Sequence, residues 1–196
     1  MEITYGLLGK WGKNIYKILI FRWNPKIRKI ETRDQLLSHK DLLFVIQKYN
    51  VRLINATVQK SGVIYFRKWH DAEHKIKTTA EILRESLVKQ YGSGTDLCGH
   101  CIEASELLRD IFSTMGIPCH TVEGWCEFDD EYYGSDRPYD PHTWLEIPRR
   151  GGKSVYVDIT ADQFNPGMYE ETKYNGIIIQ FGLPHGMRYD EPAEYD

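Results

Sequence analysis

Residues 98–118 read CGHCIEASELLRDIFSTMGIP, and the fold is decided here. From Cys101 onward the apolar residues Ala104, Leu108, Ile111, Phe112 and Met115 recur at three- and four-residue intervals. That is the stripe of an amphipathic helix. Gly116-Ile117-Pro118 ends it, with Gly116 suited to the left-handed C-cap conformation and Pro118 unable to continue the helix. Cys101 lies on the same stripe in the first turn, so it faces the core while sitting at a helix N-terminus. The amide N–H groups and the positive dipole end there stabilise a thiolate and can stabilise an oxyanion. Gly99 permits close backbone approach by a substrate.

The rest of the chain sets limits on this helix's context. With 196 residues, 41% hydrophobic and 13% aromatic, it is expected to form a single domain. A core of that size needs neither disulfide nor metal for stability. Dispersed Lys and Arg with a net charge of −3 argue against a nucleic-acid partner. No apolar run approaches a membrane span, and the start Met1-Glu2-Ile3-Thr4 lacks the features of a signal peptide, so a cytoplasmic protein without a membrane partner is expected.

All four cysteines, Cys98, Cys101, Cys119 and Cys126, fall between residues 98 and 126. Three readings compete. Cys98-Gly99-His100-Cys101 has C-x-x-C redox spacing, but a turn sequence precedes it where a strand is expected. A zinc site from Cys98, Cys101, Cys119 and His120 or Cys126 needs awkward adjacent ligands and lacks a second C-x-x-C. The third reading is one catalytic cysteine, with the others packed as small hydrophobes and no metal or other cofactor.

Flanking elements follow from periodicity and turn residues. Residues 15–23 read as a strand, Thr32 to Tyr49 as a helix, and Val51 to Val58 and Gly62 to Trp69 as two strands. Asp71 to Gln90 reads as a helix, with Ile76, Ala80, Leu83 and Leu87 on one face. After Pro118, His120 to Phe128 is a predicted strand. His142 to Ile147 and Ser154 to Ile159 form a predicted hairpin, and Tyr174 to Phe181 a last strand. The organisation expected is an unrecognised α/β portion over 1–70, a core over 71–182 and a polar tail over 183–196.

A thiolate nucleophile needs a base, and the base an orienting acceptor. His142 opens the first hairpin strand and Asp158 lies near the end of the second, so the two can sit side by side. Gly99-His100-Cys101, Gly116-Ile117-Pro118, Thr121-Val122-Glu123-Gly124, His142-Thr143-Trp144-Leu145-Glu146 and Val157-Asp158-Ile159-Thr160 occur in that order. Over residues 73 to about 165 the chain thereby resembles the transglutaminase-like superfamily of cysteine enzymes. The resemblance implies an α+β, papain-like core with its catalytic helix packed on an antiparallel sheet. It also implies Cys101 as nucleophile, His142 as base and Asp158 as orienting carboxylate. The expected activity is that of a cysteine-dependent amide hydrolase or acyltransferase working through a thioester on a protein or peptide. An idle fold of this type used as a binding module, and a zinc or redox protein built on Cys98 and Cys101, are the alternatives.

The loop at 129–141 departs from the resemblance. Its Asp129, Asp130, Glu131, Asp136 and Asp140 can attract a basic peptide or remain a solvated acidic loop. Trp125, Tyr133 and Tyr139 are the candidate substrate-binding residues, offering flat contact area to a peptide, and ordinary packing explains them equally. Trp144 shares a strand face with His142 and can shield it from water.

Overall fold

A computed structural model describes residues 4–92, 97–127, 139–163, 176–184 and 186–190. The chain divides into two compact units, Met1–Lys75 and Ile76–Asp196. Both combine helices with largely antiparallel sheets.

In the first unit, β1 (Thr4–Gly12), β2 (Ile15–Asn24) and β3 (Lys29–Ser38) form an antiparallel meander. Helix α1 (His39–Lys48) then returns the chain to β4 (Val51–Leu53), which pairs parallel to β1. Leu42 and Val45 of α1 pack on Leu8 and Ile18 of the sheet. A two-stranded ladder of β5 (Ala56–Val58) and β6 (Ile64–Phe66) follows. The helix expected over 32–49 is therefore only its second half. Residues 29–38 pair with β2 in unbroken register from Asn24↔Lys29 to Ile15↔Ser38, which gives the backbone polar groups partners that a helix would otherwise supply. Ser38 is the switch point: its Oγ accepts from the Asp41 N–H at 3.2 Å and donates to Asp41 Oδ2 at 2.6 Å, capping α1. The strand expected over 51–58 is also broken. Asn55 turns its amide onto the β1 backbone instead, accepting from Leu8 N–H at 2.9 Å and donating to Leu8 C=O at 2.8 Å.

In the second unit, α2 (Ala72–Tyr91) and α3 (Cys101–Thr114) precede a five-stranded antiparallel sheet. Its strands are β7 (His120–Glu127), β8 (Tyr139–Ile147), β9 (Val155–Asp158), β10 (Ile178–Phe181) and β11 (Met187–Arg188), in spatial order β10-β9-β8-β7-β11. Helix α3 stops as its sequence requires. Gly116 has φ +77°, and the N–H groups of Gly116 and Ile117 return to the carbonyls of Ser113 and Phe112. Leu108, Ile111 and Phe112 are fully buried, each contributing about 1.5–3 kcal/mol of hydrophobic stabilisation. The segment expected to be a polar tail adds β11 to the sheet. Met187 buries itself against Cys126 and Trp144, and the Tyr189 hydroxyl donates to Glu146 at 2.8 Å. Gly124 lies opposite His142 in the β7–β8 register, and a Cβ there would collide with the Trp144 ring and the Arg188 carbonyl.

Candidate active site

Cys101 is the first residue of α3, and the apolar stripe that turns α3 inward also buries it, leaving the residue 7% exposed. His100 takes the N-cap position but makes no side-chain capping bond to the first turn. It is held elsewhere. Its ring stacks on Tyr91, with centroids 3.7 Å apart, and its Nδ1 lies 3.2 Å from Glu103 Oε2. One turn into α3, Ser105 Oγ donates to the Thr143 carbonyl at 2.9 Å, stitching the helix to β8 beside His142. The Thr143 backbone also helps to hold the Cys101 thiol below its usual range.

Strand alternation and the Glu146↔Tyr156 register put His142, Trp144 and Glu146 on one face with Tyr156 and Asp158 of β9. His142 and Asp158 are both essentially inaccessible, and His142 Nε2 lies 2.6 Å from Asp158 Oδ2. The same carboxylate oxygen accepts from the Tyr156 hydroxyl at 3.0 Å. The other, Oδ1, accepts from the Thr160 N–H at 2.7 Å and hydroxyl at 3.0 Å. An acceptor so fully engaged leaves Nε2 as the protonated nitrogen, and Nδ1 is the ring nitrogen that remains for the hydrogen bond with Cys101. Trp144 lies beside the imidazole, with ring centroids 6.1 Å apart.

The electrostatics follow from burial and these partners. Burial pushes the Cys101 thiol up, but the hydrogen bond and charge of His142, with the Thr143 backbone, outweigh it and hold the thiol below its usual range. Burial alone would lower His142. The charge and hydrogen bond of Asp158, aided by Cys101, instead push it up to about 9. Burial raises Asp158 while His142 and Thr160 lower it, and the net direction is down. Cys98 contrasts with all this: it is exposed, and partial burial together with the charges of Asp140 and Cys101 moves its thiol up.

The structure thus brings together Cys101, His142 and Asp158. It places two of the other cysteines elsewhere: Cys126 lies in the sheet core, and Cys119 contacts Ser113 and the Arg109 carbonyl. All four cysteines are free thiols, and among the described residues no group of three or more His, Cys, Asp or Glu could hold a metal ion. The zinc set of Cys98, Cys101, Cys119 and His120 or Cys126 is therefore not assembled. Trp125 is half-buried on β7 opposite Pro141, and Tyr139 opens β8. Tyr133 and the acidic residues Asp129, Asp130, Glu131 and Asp136 lie outside the described residues. Asp140 is described and exposed.

Four supporting residues escaped the sequence reading. Ser105 had a signal, its place one turn after Cys101. Thr160 had another, the Asp-x-Thr spacing of a side-chain-to-backbone turn. Gln163 Nε2, in a 3-10 turn (Ala161–Gln163), lies 3.1 Å from Thr160 Oγ1 and 3.3 Å from His142 Nδ1, and nothing local announces it. Arg84 of α2 is equally silent in sequence. It donates to the Ile159 carbonyl at 2.9 Å and pairs with Asp162 at 2.6 Å, clamping the turn that follows Asp158.

Comparison with family models, with curated proteins and with solved structures finds no match to this chain.

Proposed function

We propose that the chain is a cysteine-dependent amide hydrolase or acyltransferase with a papain-like, transglutaminase-like core, acting through a thioester on a protein or peptide substrate. One observation carries the reading: a buried cysteine at a helix start, its thiol held below the usual range by a histidine whose Nε2 is 2.6 Å from a buried carboxylate. A nucleophile, a base and an orienter in hydrogen-bonded sequence are what acyl transfer from a carboxamide requires.

In the proposed reaction the thiol proton passes to His142 Nδ1 and the sulfur attacks the carboxamide carbon. The carbonyl electron pair moves to oxygen, where the amide N–H groups of the first turn of α3 stabilise the developing charge. Collapse breaks the C–N bond, and Nδ1 returns its proton to the departing nitrogen. Water or an amine then attacks the thioester while Nδ1 takes its proton. When the C–S bond breaks, that proton goes back to sulfur. Asp158 keeps the imidazole oriented through Nε2 and stabilises the imidazolium formed in each half. Hydrolysis is the favoured outcome, because no feature among the described residues marks a dedicated amine site.

Iodoacetamide alkylation followed by peptide mapping tests the reading. Cys101 is expected to react faster than Cys98, Cys119 and Cys126 at neutral pH, and to lose that advantage in His142→Ala. Uniformly slow labelling of all four would overturn it. Mass spectrometry of protein mixtures incubated with wild type and Cys101→Ala then separates deamidation, a small mass gain on Gln or Asn, from cleavage.

A further inference from the structure

We propose that Gln163 is a positioning residue that selects the Nε2–H tautomer whenever His142 is neutral and so keeps Nδ1 available as a proton acceptor. The argument is one of donor counting. Asp158 is acceptor-only when ionised, and its Oδ1 takes the Thr160 hydroxyl proton. With that proton committed, Thr160 Oγ1 can only accept from Gln163, which places the amide nitrogen of Gln163 there, at 3.1 Å. The same nitrogen carries a second N–H and lies 3.3 Å from His142 Nδ1. An N–H donor at Nδ1 needs a lone pair there, so the proton of the neutral imidazole belongs on Nε2, facing Asp158 at 2.6 Å. Asp158, Thr160, Gln163 and His142 form a closed ring of hydrogen bonds, and none of the four is more than 2% exposed.

This ring opposes the pull of Asp158. Among the described residues, Cys101 from α3 and Asp158 from β9 are titratable groups that face His142, with Tyr156 bonded behind Asp158, while β7 presents Gly124. The carboxylate favours imidazolium, whereas donation from Gln163 is compatible only with neutral imidazole. Resting on the proposed thioester mechanism, the second half of the reaction gives this balance its use. There His142 must accept a proton from water or an amine through Nδ1, and an imidazolium held too firmly could not. The turn carrying Gln163 is itself braced by Arg84 through Ile159 and Asp162, so the amide is presented from a fixed backbone.

Nitrogen NMR of His142 tests this without any substrate. In Cys101→Ala, where the thiol no longer competes for Nδ1, neutral His142 is expected with Nε2 protonated and Nδ1 bare. Adding Gln163→Leu should move the His142 pKa up by about half to one pH unit, the worth of one net hydrogen bond. Gln163→Glu, of the same size, should also move it up, because a carboxylate at that place accepts from Nδ1–H. A neutral His142 protonated on Nδ1, or an unchanged or lower pKa in the two variants, would overturn the proposal. Alkylation of Cys101 in otherwise wild-type protein reports separately on the enzyme reading.

Discussion

His142 Nε2 and Asp158 Oδ2 lie 2.6 Å apart with both side chains closed to solvent, so the imidazole and the carboxylate face each other as a buried pair. Replacing the carboxylate with an amide should uncouple this pair while preserving shape. In Asp158→Asn, alkylation of Cys101 at neutral pH is expected to slow by tenfold or more, since imidazolium loses its main support. The sign of the pH dependence follows from the two directions of shift. His142, raised from 6.5 to about 9, stabilises the fold fully below pH 6.5 and loses that contribution as pH rises to about 9. Asp158, lowered from 3.8, contributes above that value and fades as pH falls through its folded pKa. The Tm difference between wild type and Asp158→Asn should therefore be greatest between about pH 4 and 6.5 and shrink towards pH 9. A difference that grows between pH 6.5 and 9 would contradict the pairing.

Ser105 connects the nucleophile helix to the strand of the base. Ser105→Ala leaves the buried Thr143 carbonyl without its 2.9 Å partner, at a cost of about 1–3 kcal/mol in urea unfolding. Because the Thr143 backbone also helps to hold the Cys101 thiol below its usual range, alkylation of Cys101 should slow in the same variant. A stability loss with unchanged reactivity would show that Ser105 acts on the fold alone.

Arg84 is 4% exposed and spans two acceptors at the end of β9. Arg84→Met takes the guanidinium away from the largely buried Asp162 carboxylate and is expected to cost about 3–5 kcal/mol, read as a lowered denaturation midpoint. The double variant Arg84→Met with Asp162→Asn should recover part of that loss, because the buried charge is then gone. Failure to recover any would place the cost in packing of the arginine stem instead.

Ser38 provides a control in the first unit. Ser38→Ala removes the cap of α1 and should cost about 0.5–2 kcal/mol, while the alkylation rate of Cys101 stays unchanged. A change in that rate would show that the first unit influences the site in the second.

Legibility varied with the range over which each feature is determined. Helix α3 was readable because its stripe, its start at Cys101 and its stop at Gly116 all lie within some twenty residues. The β8–β9 hairpin was readable from alternation and a glycine turn. The helix over 32–49 was misread because Leu36 and Leu37 extend the apolar pattern of α1 backwards, while the pairing that makes 29–38 a strand comes from β2. The Ser38-x-x-Asp41 capping signature was the local clue that divides strand from helix. Strand β11 was hidden because Met187 and Tyr189 gain their partners only from β7 and β8.

By itself, then, the sequence determined a cysteine at a helix start and a histidine and an aspartate on adjacent hairpin strands. It could do so because helix periodicity, caps and turns are set by neighbours along the chain. The tertiary structure alone decided which nitrogen of His142 faces which partner. It also decided that Ser105 would hold Thr143, that Arg84 would clamp the turn after Asp158, and that Gln163 would reach Nδ1. Those contacts join residues 16 to 78 positions apart, and their energy depends on burial and donor geometry that only the packed fold supplies.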